Sequence, residues 1–310
     1  MFWGNSDTVF CTYLVGLIMS DVLFYLMMVL AMVSWGESWV SAKIVAKMAS
    51  PEVLMFWRFF LTFISYIPVM IYLKQTFTIS RKGILFTFVC SVVLILYNEM
   101  FFTGLIYGMA SVGGILVTTL IPVVTFLLVS LLTLKSPSLK DAFGLMMGAC
   151  GAMVIIKIWD TDIEKLFHSG NIYFLTAAFL WAILTYLGAY VKKYTNVFTY
   201  SFYLYLFTTG LIALITIAKG TSFAVPHTFV FWGNMTLLAV GATTFGSTLF
   251  FIAAARLGSQ KTSSFVYLVP VNAVGLSWFF LGEQIHVNTL TGGLLVFMAV
   301  YIINRKSKTS

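Results

Sequence analysis

The chain has 310 residues, of which 60% are hydrophobic and 9% are charged, and its formal net charge is +8. Soluble domains carry about 25% charged residues, so this composition excludes an ordinary soluble fold and indicates an integral membrane protein. The basic residues lie in short groups between apolar runs, a distribution that follows membrane topology and argues against a nucleic-acid-binding surface.

The sequence contains no pattern typical of a metal or cofactor site. Cys11, Cys90 and Cys150 lie in apolar stretches without metal-ligand spacing, and the three histidines are scattered in predicted loops. A phosphate-binding GxxxxGK[ST] loop is absent, which argues against direct use of ATP. We therefore predict no cofactor, no metal and no nucleic-acid partner.

Residues 1–21 precede the first long apolar run. Val9 to Ile18 is apolar but shorter than the roughly 20 residues that a bilayer span needs. No Lys or Arg precedes Lys43, so the basic start of a signal peptide is missing. Two interpretations stay open, which are an interfacial segment and an extension upstream of a true start at Met19.

Ten apolar runs long enough to span a membrane follow. We predict helices over residues 22–46, 51–73, 83–107, 111–134, 139–158, 170–191, 197–218, 228–255, 261–282 and 287–304. Their connections are short and contain turn formers such as Ser50-Pro51 and Ser169-Gly170, so no soluble domain is present between them. The predicted fold is an all-α integral membrane protein with ten transmembrane helices.

The basic residues predict the orientation of these helices. With the N-terminus inside, twelve Lys and Arg residues fall on the cytoplasmic side and five on the opposite side, while Arg58 lies inside a helix. This excess predicts a multi-pass protein of the cell (inner) membrane with both termini in the cytoplasm.

The chain contains an internal duplication. When the sequence is shifted by 148 positions, Tyr107 to Ile156 matches Ala255 to Asn304 without a gap, and Pro122 falls on Pro270. The duplication divides the chain into two five-helix repeats, residues 22–158 and residues 170–304. Because five is an odd number, the two repeats have inverted topology, an architecture typical of secondary transporters with a binding site near the bilayer midplane.

Three patches of sequence carry a resemblance to a known family. They are Ala31-Met-Val-Ser-Trp-Gly36 with Lys43, Pro51 and Arg58; Tyr107 to Gly151; and Phe251 to Ile303 with Arg256-Leu-Gly-Ser259, Pro270, Leu281-Gly-Glu283 and Gly292-Gly293. In order, spacing and duplication they resemble the drug/metabolite transporter superfamily, in particular its EamA-type ten-helix members. The resemblance implies transport of small metabolites, amino acids or drugs, often outward.

One position departs from that family. Its members commonly carry Glu at the end of both the fourth and the ninth helix, whereas this chain has Lys135 at the first position and Glu283 at the second. The departure weakens any role that needs both acids. A single Glu283 at a helix end is more typical of a structural cap or a surface acid.

Three charged residues lie inside predicted helices, where each costs roughly 2.5–3.5 kcal/mol on insertion scales and is therefore a functional candidate. Glu37 and Glu99 lie at similar depth in helices that run in the same direction, and Arg58 can approach that level from the second helix. We expect these three to meet around one cavity. Arg58 would pair either with one of the acids as a structural lock or with a cargo carboxylate.

Polar and aromatic residues near these charges complete the predicted cavity. Hydroxyl and amide side chains would line it, and tryptophan faces would contact an aromatic or cationic cargo. The candidates are Ser34, Ser41, Asn98, Trp35, Trp181, Thr185 and Tyr267. Pro122 and Pro270 would each kink the middle of a helix and make a symmetric pair of gating helices, or alternatively two static bends.

Three classes of function stay open. A secondary transporter that works by alternating access in the outward direction accounts for the inverted repeats and the intramembrane charges. A lipid-modifying membrane enzyme would need a catalytic cluster at the membrane face, which the sequence does not show, and a scaffold or sensor would leave the charges unexplained. We predict a non-enzymatic transporter whose partners are a small-molecule cargo, the lipid bilayer and protons as the coupling ion.

Overall fold

The computed structural model describes residues 21–132, 134, 138–160, 164, 168–191, 193–257, 265–266 and 268–304. The helices of the first repeat are α1 (Asp21–Val45), α2 (Pro51–Tyr72), α3 (Arg81–Tyr107), α4 (Ala110–Leu132) and α5 (Leu139–Ile156). The second repeat contains α6 (Asn171–Val191), α7 (Val197–Ala218), α8, α9 (Leu268–Leu281) and α10 (Val287–Asn304). Helix α8 runs through three consecutive segments, Phe229–Thr236, Leu237–Gly246 and Ser247–Leu257.

The predicted fold class is confirmed. Eight of the described helices are long and apolar enough to cross a membrane, and α9 and α10 are shorter apolar helices. The predicted bounds lie within two residues of the observed ones except at the start of α9, which is described only from Leu268. The two interpretations of the N-terminal segment fall on residues 1–20, outside the described part of the chain.

Local sequence fixes where the helices begin. Asn196 precedes α7 and its side-chain oxygen accepts a hydrogen bond from the backbone N–H of Thr199 (2.9 Å). Thr228 caps α8 in the same way through the N–H of Phe231 (3.2 Å). Helix α2 begins instead with Pro51. Proline has no backbone N–H, but the first N–H groups of a helix have no intrahelical acceptor, so no hydrogen bond is lost at this position. These starts match the short polar breaks in the sequence.

Packing between the repeats follows a pseudo-two-fold relation. Helix α1 packs against α8 and α9, and its counterpart α6 packs against α3 and α4. Helices α5 and α10 pack against each other, and so do α2 and α7. The centre is therefore bounded by two crossed sets of three helices, the α1 unit (α1, α8 and α9) and the α6 unit (α3, α4 and α6), each built from both repeats.

The helix connections define two ends of the bundle. The upper end of the bundle is defined as the end with the connections that follow α1, α3, α5, α7 and α9. The lower end has the connections that follow α2, α4, α6 and α8. Under the orientation predicted from the basic residues, the upper end faces away from the cytoplasm.

Glycines allow the closest helix contacts. A Cβ added to Gly36 in α1 would lie 2.5 Å from Cβ of Asn272 and 2.9 Å from the backbone nitrogen of Ala273 in α9. In the α5–α10 pair, a Cβ on Gly151 would lie 2.7 Å from the carbonyl oxygen of Gly292. These contacts support close packing as the role of the small-residue seam in α5 and α10.

The two prolines that were predicted to kink helices both lie in described helices. Pro122 lies in the middle of α4, as expected. Pro270 is the third residue of α9 as described, and residues 258–264 and 267 before it lie outside the described part of the chain. A pair of proline kinks that act as gates stays a prediction.

Replacing Gly36 with alanine should lower the thermal unfolding temperature of the purified protein, because the new methyl group would push the backbone of α9 away from α1. The matched control is Gly210→Ala in α7, where nothing lies within 4 Å of the added Cβ. Alanine there should be neutral or stabilising by up to about 1 kcal/mol, because it favours the helix over glycine. Equal unfolding temperatures for the Gly36 variant and the wild type would show that α1 and α9 are not tightly packed.

Candidate functional site

Polar side chains from α1, α2, α3 and α8 form two hydrogen-bonded groups inside the bundle. Glu37 lies eight residues before the upper end of α1, Glu99 lies eight before the upper end of α3, and Arg58 lies seven after the start of α2. At about 1.5 Å per residue, all three Cα atoms are about 10–12 Å below the upper end. We name the central polar layer as the set that consists of Glu37, Ser41, Arg58, Asn98, Asn234 and Thr243.

Glu37 belongs to a chain of hydrogen-bonding groups between α1 and α8. The Oγ atom of the buried Ser41 is within hydrogen-bond distance of the Glu37 carboxyl group and lies 2.9 Å from Oδ1 of Asn234. The amide nitrogen of Asn234 donates to the carbonyl oxygen of Val230 (2.7 Å), which leaves Oδ1 facing Ser41. The chain links an acid of the first repeat to an amide of the second.

Arg58 connects α2 to both of the central helix units. Its Nη1 donates to Oδ1 of the buried Asn98 in α3 (3.0 Å), and its Nη2 lies 3.5 Å from Oγ1 of Thr243 in α8. The guanidinium carbon lies 5.7 Å from the ring centre of Phe59 and 5.6 Å from that of Phe101. Its Nε is buried and has no hydrogen-bond partner among the described residues.

The expected pairing of Arg58 with Glu37 or Glu99 is wrong in this structure. The guanidinium group makes no ion pair with any carboxylate of the described residues. The charged neighbours of Glu99 are instead Lys219 and Glu52 at the upper end, and these two form an ion pair of 3.7 Å. The three intramembrane charges share a depth but have different partners.

The remaining predicted residues of α1 make structural contacts. The indole N–H of Trp35 donates to the carbonyl oxygen of Ala242 in α8 (2.8 Å), and its ring lies 5.3 Å from that of Phe250. Ser34 donates to the carbonyl oxygen of Leu30 in its own helix (2.9 Å). Trp35 therefore anchors α1 to α8, and its indole N–H is already used.

The predicted residues of α6 lie near the α3 side of the bundle. The ring of Trp181 is 4.6 Å from that of Tyr97 and tilted against it. Thr185 is exposed and donates to the carbonyl oxygen of Trp181 (2.8 Å). Tyr267 lies outside the described residues. These contacts leave Trp181 as the candidate for contact with an aromatic cargo.

Helix α8 contains a widened turn that was not predicted from the sequence. Residues 237–246 form a π-helical segment, in which the side-chain hydroxyl groups of Thr243 and Thr244 donate to the carbonyl oxygens five residues earlier in the chain. The buried Thr62 of α2 lies within 3.3 Å of the Ala239 carbonyl oxygen. Such segments are rare and frequent at functional sites. The Thr243-Thr244 pair and the intramembrane Asn234 were the available signals.

One basic and one acidic side chain connect the α1 unit to the α6 unit at the upper end. Lys43 of α1 donates to the carbonyl oxygens of Leu105 and Gly108 at the end of α3, the second at 2.6 Å. The carboxylate of Glu283, which follows α9, accepts from the backbone N–H groups of Ala110 and Ser111 at the start of α4 (2.8 Å each). The interpretation of Glu283 as a structural cap is thus confirmed.

The residues that make these contacts are not repeated at the matching positions of the other repeat. In the alignment of the repeats, Ala189 takes the place of Lys43 and Lys135 takes the place of Glu283. A lysine at that position has the wrong sign to bind a helix N-terminus. We name the upper-end latch as Lys43 and Glu283 with the backbone groups that they bind.

The architecture defines a multi-pass membrane transporter with two inverted five-helix repeats. The profile of the EamA-like transporter family matches residues 22–157 and 168–305. The chain belongs to the EamA-like transporter family. In the described residues, no group of three or more His, Cys, Asp or Glu side chains is placed to hold a metal ion.

Individual relatives agree with this assignment. The chain is 24% identical over 290 residues to YyaM of Bacillus subtilis (strain 168), an uncharacterized transporter, covering 91% of this chain and 93% of that protein. It is 25% identical to an uncharacterized transporter of Archaeoglobus fulgidus, with coverage of 91% and 97%. A solved crystal structure with 16% identity aligns at a TM-score of 0.62 over 92% of this chain and 97% of that one, which shows the fold.

Replacing Glu283 with glutamine should lower the thermal unfolding temperature, because its amide oxygen can accept from only one of the N–H groups of Ala110 and Ser111 and its amide nitrogen would face the other. Losing charged hydrogen bonds of this kind costs about 1–3 kcal/mol. Glu164→Gln is the control, since that side chain is exposed. An unchanged unfolding temperature in Glu283→Gln, measured by tryptophan fluorescence in detergent, would contradict a stabilising latch.

Proposed function

We propose that this protein is a secondary transporter that moves small metabolites, amino acids or drugs by alternating access, with the cargo bound at the central polar layer. The observation that carries this proposal is the upper-end latch between the α1 unit and the α6 unit. Two helix units that are joined by breakable contacts at one end can rock about a fixed central site.

The latch also suggests what the transport cycle must break. Opening the upper end separates Lys43 from the last carbonyl oxygens of α3 and Glu283 from the first N–H groups of α4. Cargo binding can favour opening only if the cargo binds the open state more tightly than the latched one. Contacts in the central polar layer, which come from both units, are suited to this difference because rocking changes their spacing.

Proton coupling is assigned in this proposal to Glu37. Ser41 has one hydroxyl proton, but both the Glu37 carboxyl group and Oδ1 of Asn234 lie within hydrogen-bond distance of its oxygen. If Glu37 is protonated, it donates to Ser41 and Ser41 donates to Asn234, so every group is satisfied. If Glu37 is ionised, Ser41 can donate its single proton to either Glu37 or Oδ1 of Asn234, and the other acceptor has no donor. The arrangement therefore favours a neutral Glu37 while the latch is closed.

Glu37, Ser41 and Asn234 all belong to the α1 unit, so release of this proton would accompany a change in spacing between α1 and α8 inside that unit. Moving Asn234 away frees the Ser41 hydroxyl to donate to an ionised Glu37. These hydrogen bonds thus link the charge of Glu37 to the position of α8. An antiporter needs such a link between proton binding and conformation.

The direction of transport in the proposal is outward, in the cell membrane, with both termini in the cytoplasm. The excess of basic residues at the lower end supports that orientation. The latched upper end then faces outside. Cargo would enter from the cytoplasm and leave when the latch opens.

Replacing Glu37 with glutamine should abolish cargo-driven proton movement while cargo exchange continues, because glutamine imitates the protonated acid and still donates to Ser41. Cargo is first identified by resistance of overexpressing cells to toxic amino acids and drugs. Purified protein is then placed in vesicles that contain a pH-sensitive dye, and cargo is added outside.

Glu164→Gln serves as the control for this experiment, since the side chain is exposed and distant in sequence from α1. Proton movement in the Glu37 variant equal to that of the wild type would remove Glu37 from coupling. No cargo flux above empty vesicles in the wild type would contradict the proposed function itself.

A further inference from the structure

We infer that the cargo carries a single carboxylate and that Arg58 is its binding group. This inference rests on the proposed transport function and assigns the chemical class of the cargo. It begins from the charge of Arg58, which no carboxylate of the described residues compensates. A guanidinium inside the membrane without a counter-charge is costly, and a bound anion with good geometry would offset part of that cost.

The hydrogen bonds of Arg58 leave the donors along one edge of the guanidinium unused or weakly used. Nη1 is held by Asn98 at 3.0 Å, whereas Nη2 reaches Thr243 only at 3.5 Å. Nε is buried and without a partner among the described residues. A carboxylate accepts two parallel N–H bonds from one edge of a guanidinium, and such an edge includes Nε.

The surroundings of Arg58 fit an apolar body attached to that carboxylate. The ring centres of Phe59 and Phe101 lie 5.7 and 5.6 Å from the guanidinium carbon. Tyr97 and Tyr205 are also close enough to interact electrostatically with Arg58, and the ring of Tyr97 lies beside that of Trp181. Aromatic walls exclude water and strengthen the attraction between an anion and Arg58.

The number of charges limits the cargo to one negative group. Among the described residues, Lys43 and Lys219 at the upper end are engaged with backbone carbonyl oxygens and with Glu52, respectively. A dicarboxylate or a phosphate dianion would therefore bring a second charge with no partner. A small monocarboxylate with an aliphatic or aromatic body would neutralise the charge of Arg58 and pack against the aromatic side chains around it.

The position of Arg58 would make the affinity for this cargo depend on the conformation of the transporter. Its two side-chain partners belong to different units, Asn98 to the α6 unit and Thr243 to the α1 unit. Rocking of the units would lengthen or break the weak contact to Thr243 first. The guanidinium edge offered to a carboxylate would then differ between the two states, which gives the differential affinity that alternating access requires.

The test uses three compounds with one skeleton: 3-phenylpropionate, its uncharged amide and 3-phenylpropylamine. Thermal unfolding and tryptophan fluorescence of the full-length protein in lipid nanodiscs report binding. We expect 3-phenylpropionate to raise the unfolding temperature and to bind about 10- to 100-fold more tightly than the amide, as for a hydrogen-bonded charge pair. The amine should have no effect.

Variants at Arg58 assign the effect to this residue. Arg58→Gln should lose the response to 3-phenylpropionate, and Arg58→Lys should keep a weaker one, because lysine retains the charge without the fork. Arg81→Gln at the exposed start of α3 is the control and should respond like the wild type.

Several results would overturn the inference. They are no response of the wild type to 3-phenylpropionate, an equal response to the amide or to chloride, and an undiminished response in Arg58→Gln. If Arg58→Gln does not fold, the wild-type comparison and Arg58→Lys decide the question. Proton-coupled flux of amines without carboxylate binding would refute this inference alone, whereas carboxylate binding without any flux would refute the proposed function alone.

Discussion

The connection between α3 and α4 is held on both sides by side chains of the α1 unit. The ammonium group of Lys43 binds the carbonyl oxygens at the end of α3, and the carboxylate of Glu283 binds the N–H groups at the start of α4. Each charge has the sign that the helix end attracts, since a helix is partly negative at its C-terminus and partly positive at its N-terminus. The latch thereby satisfies backbone groups that the helices cannot satisfy themselves.

This latch gives direction to a fold that is otherwise nearly symmetric. The two repeats supply matching helices, and their inter-repeat contacts follow the same pseudo-two-fold relation. The chemistry does not follow it, because Lys43 and Glu283 are replaced by Ala189 and Lys135 at the equivalent positions. In the proposed transport cycle, a symmetric frame would let both ends open by the same motion, and the asymmetric charges would favour closure of the upper end.

The sequence predicted the frame well for a simple physical reason. Each span needs a long apolar run, and the polar breaks between runs are short, so the helix bounds could be located within about two residues. The shift of 148 positions showed the repeats directly. At α9 the prediction placed Pro270 in mid-helix, whereas the described helix begins only at Leu268.

The partners of the charged residues could not be predicted in the same way. Depth follows from counting residues along a helix, so the common level of Glu37, Arg58 and Glu99 was expected correctly. Which side chain faces which depends on helix rotation and on the π-helical segment of α8, which turns Thr243 toward Arg58. For that reason Arg58 bonds to Asn98 and Thr243 and to neither acid.

The central claim is that the latch holds the two units together at the upper end. The most direct measurement is the distance between spin labels on His168, which precedes α6, and Gln284, which follows α9, in nanodiscs and with the native cysteines replaced. Both positions are exposed. The wild type should give one dominant short distance, and the Lys43→Met, Glu283→Gln double variant should add a longer one. A distance distribution unchanged by the double variant would contradict the latch.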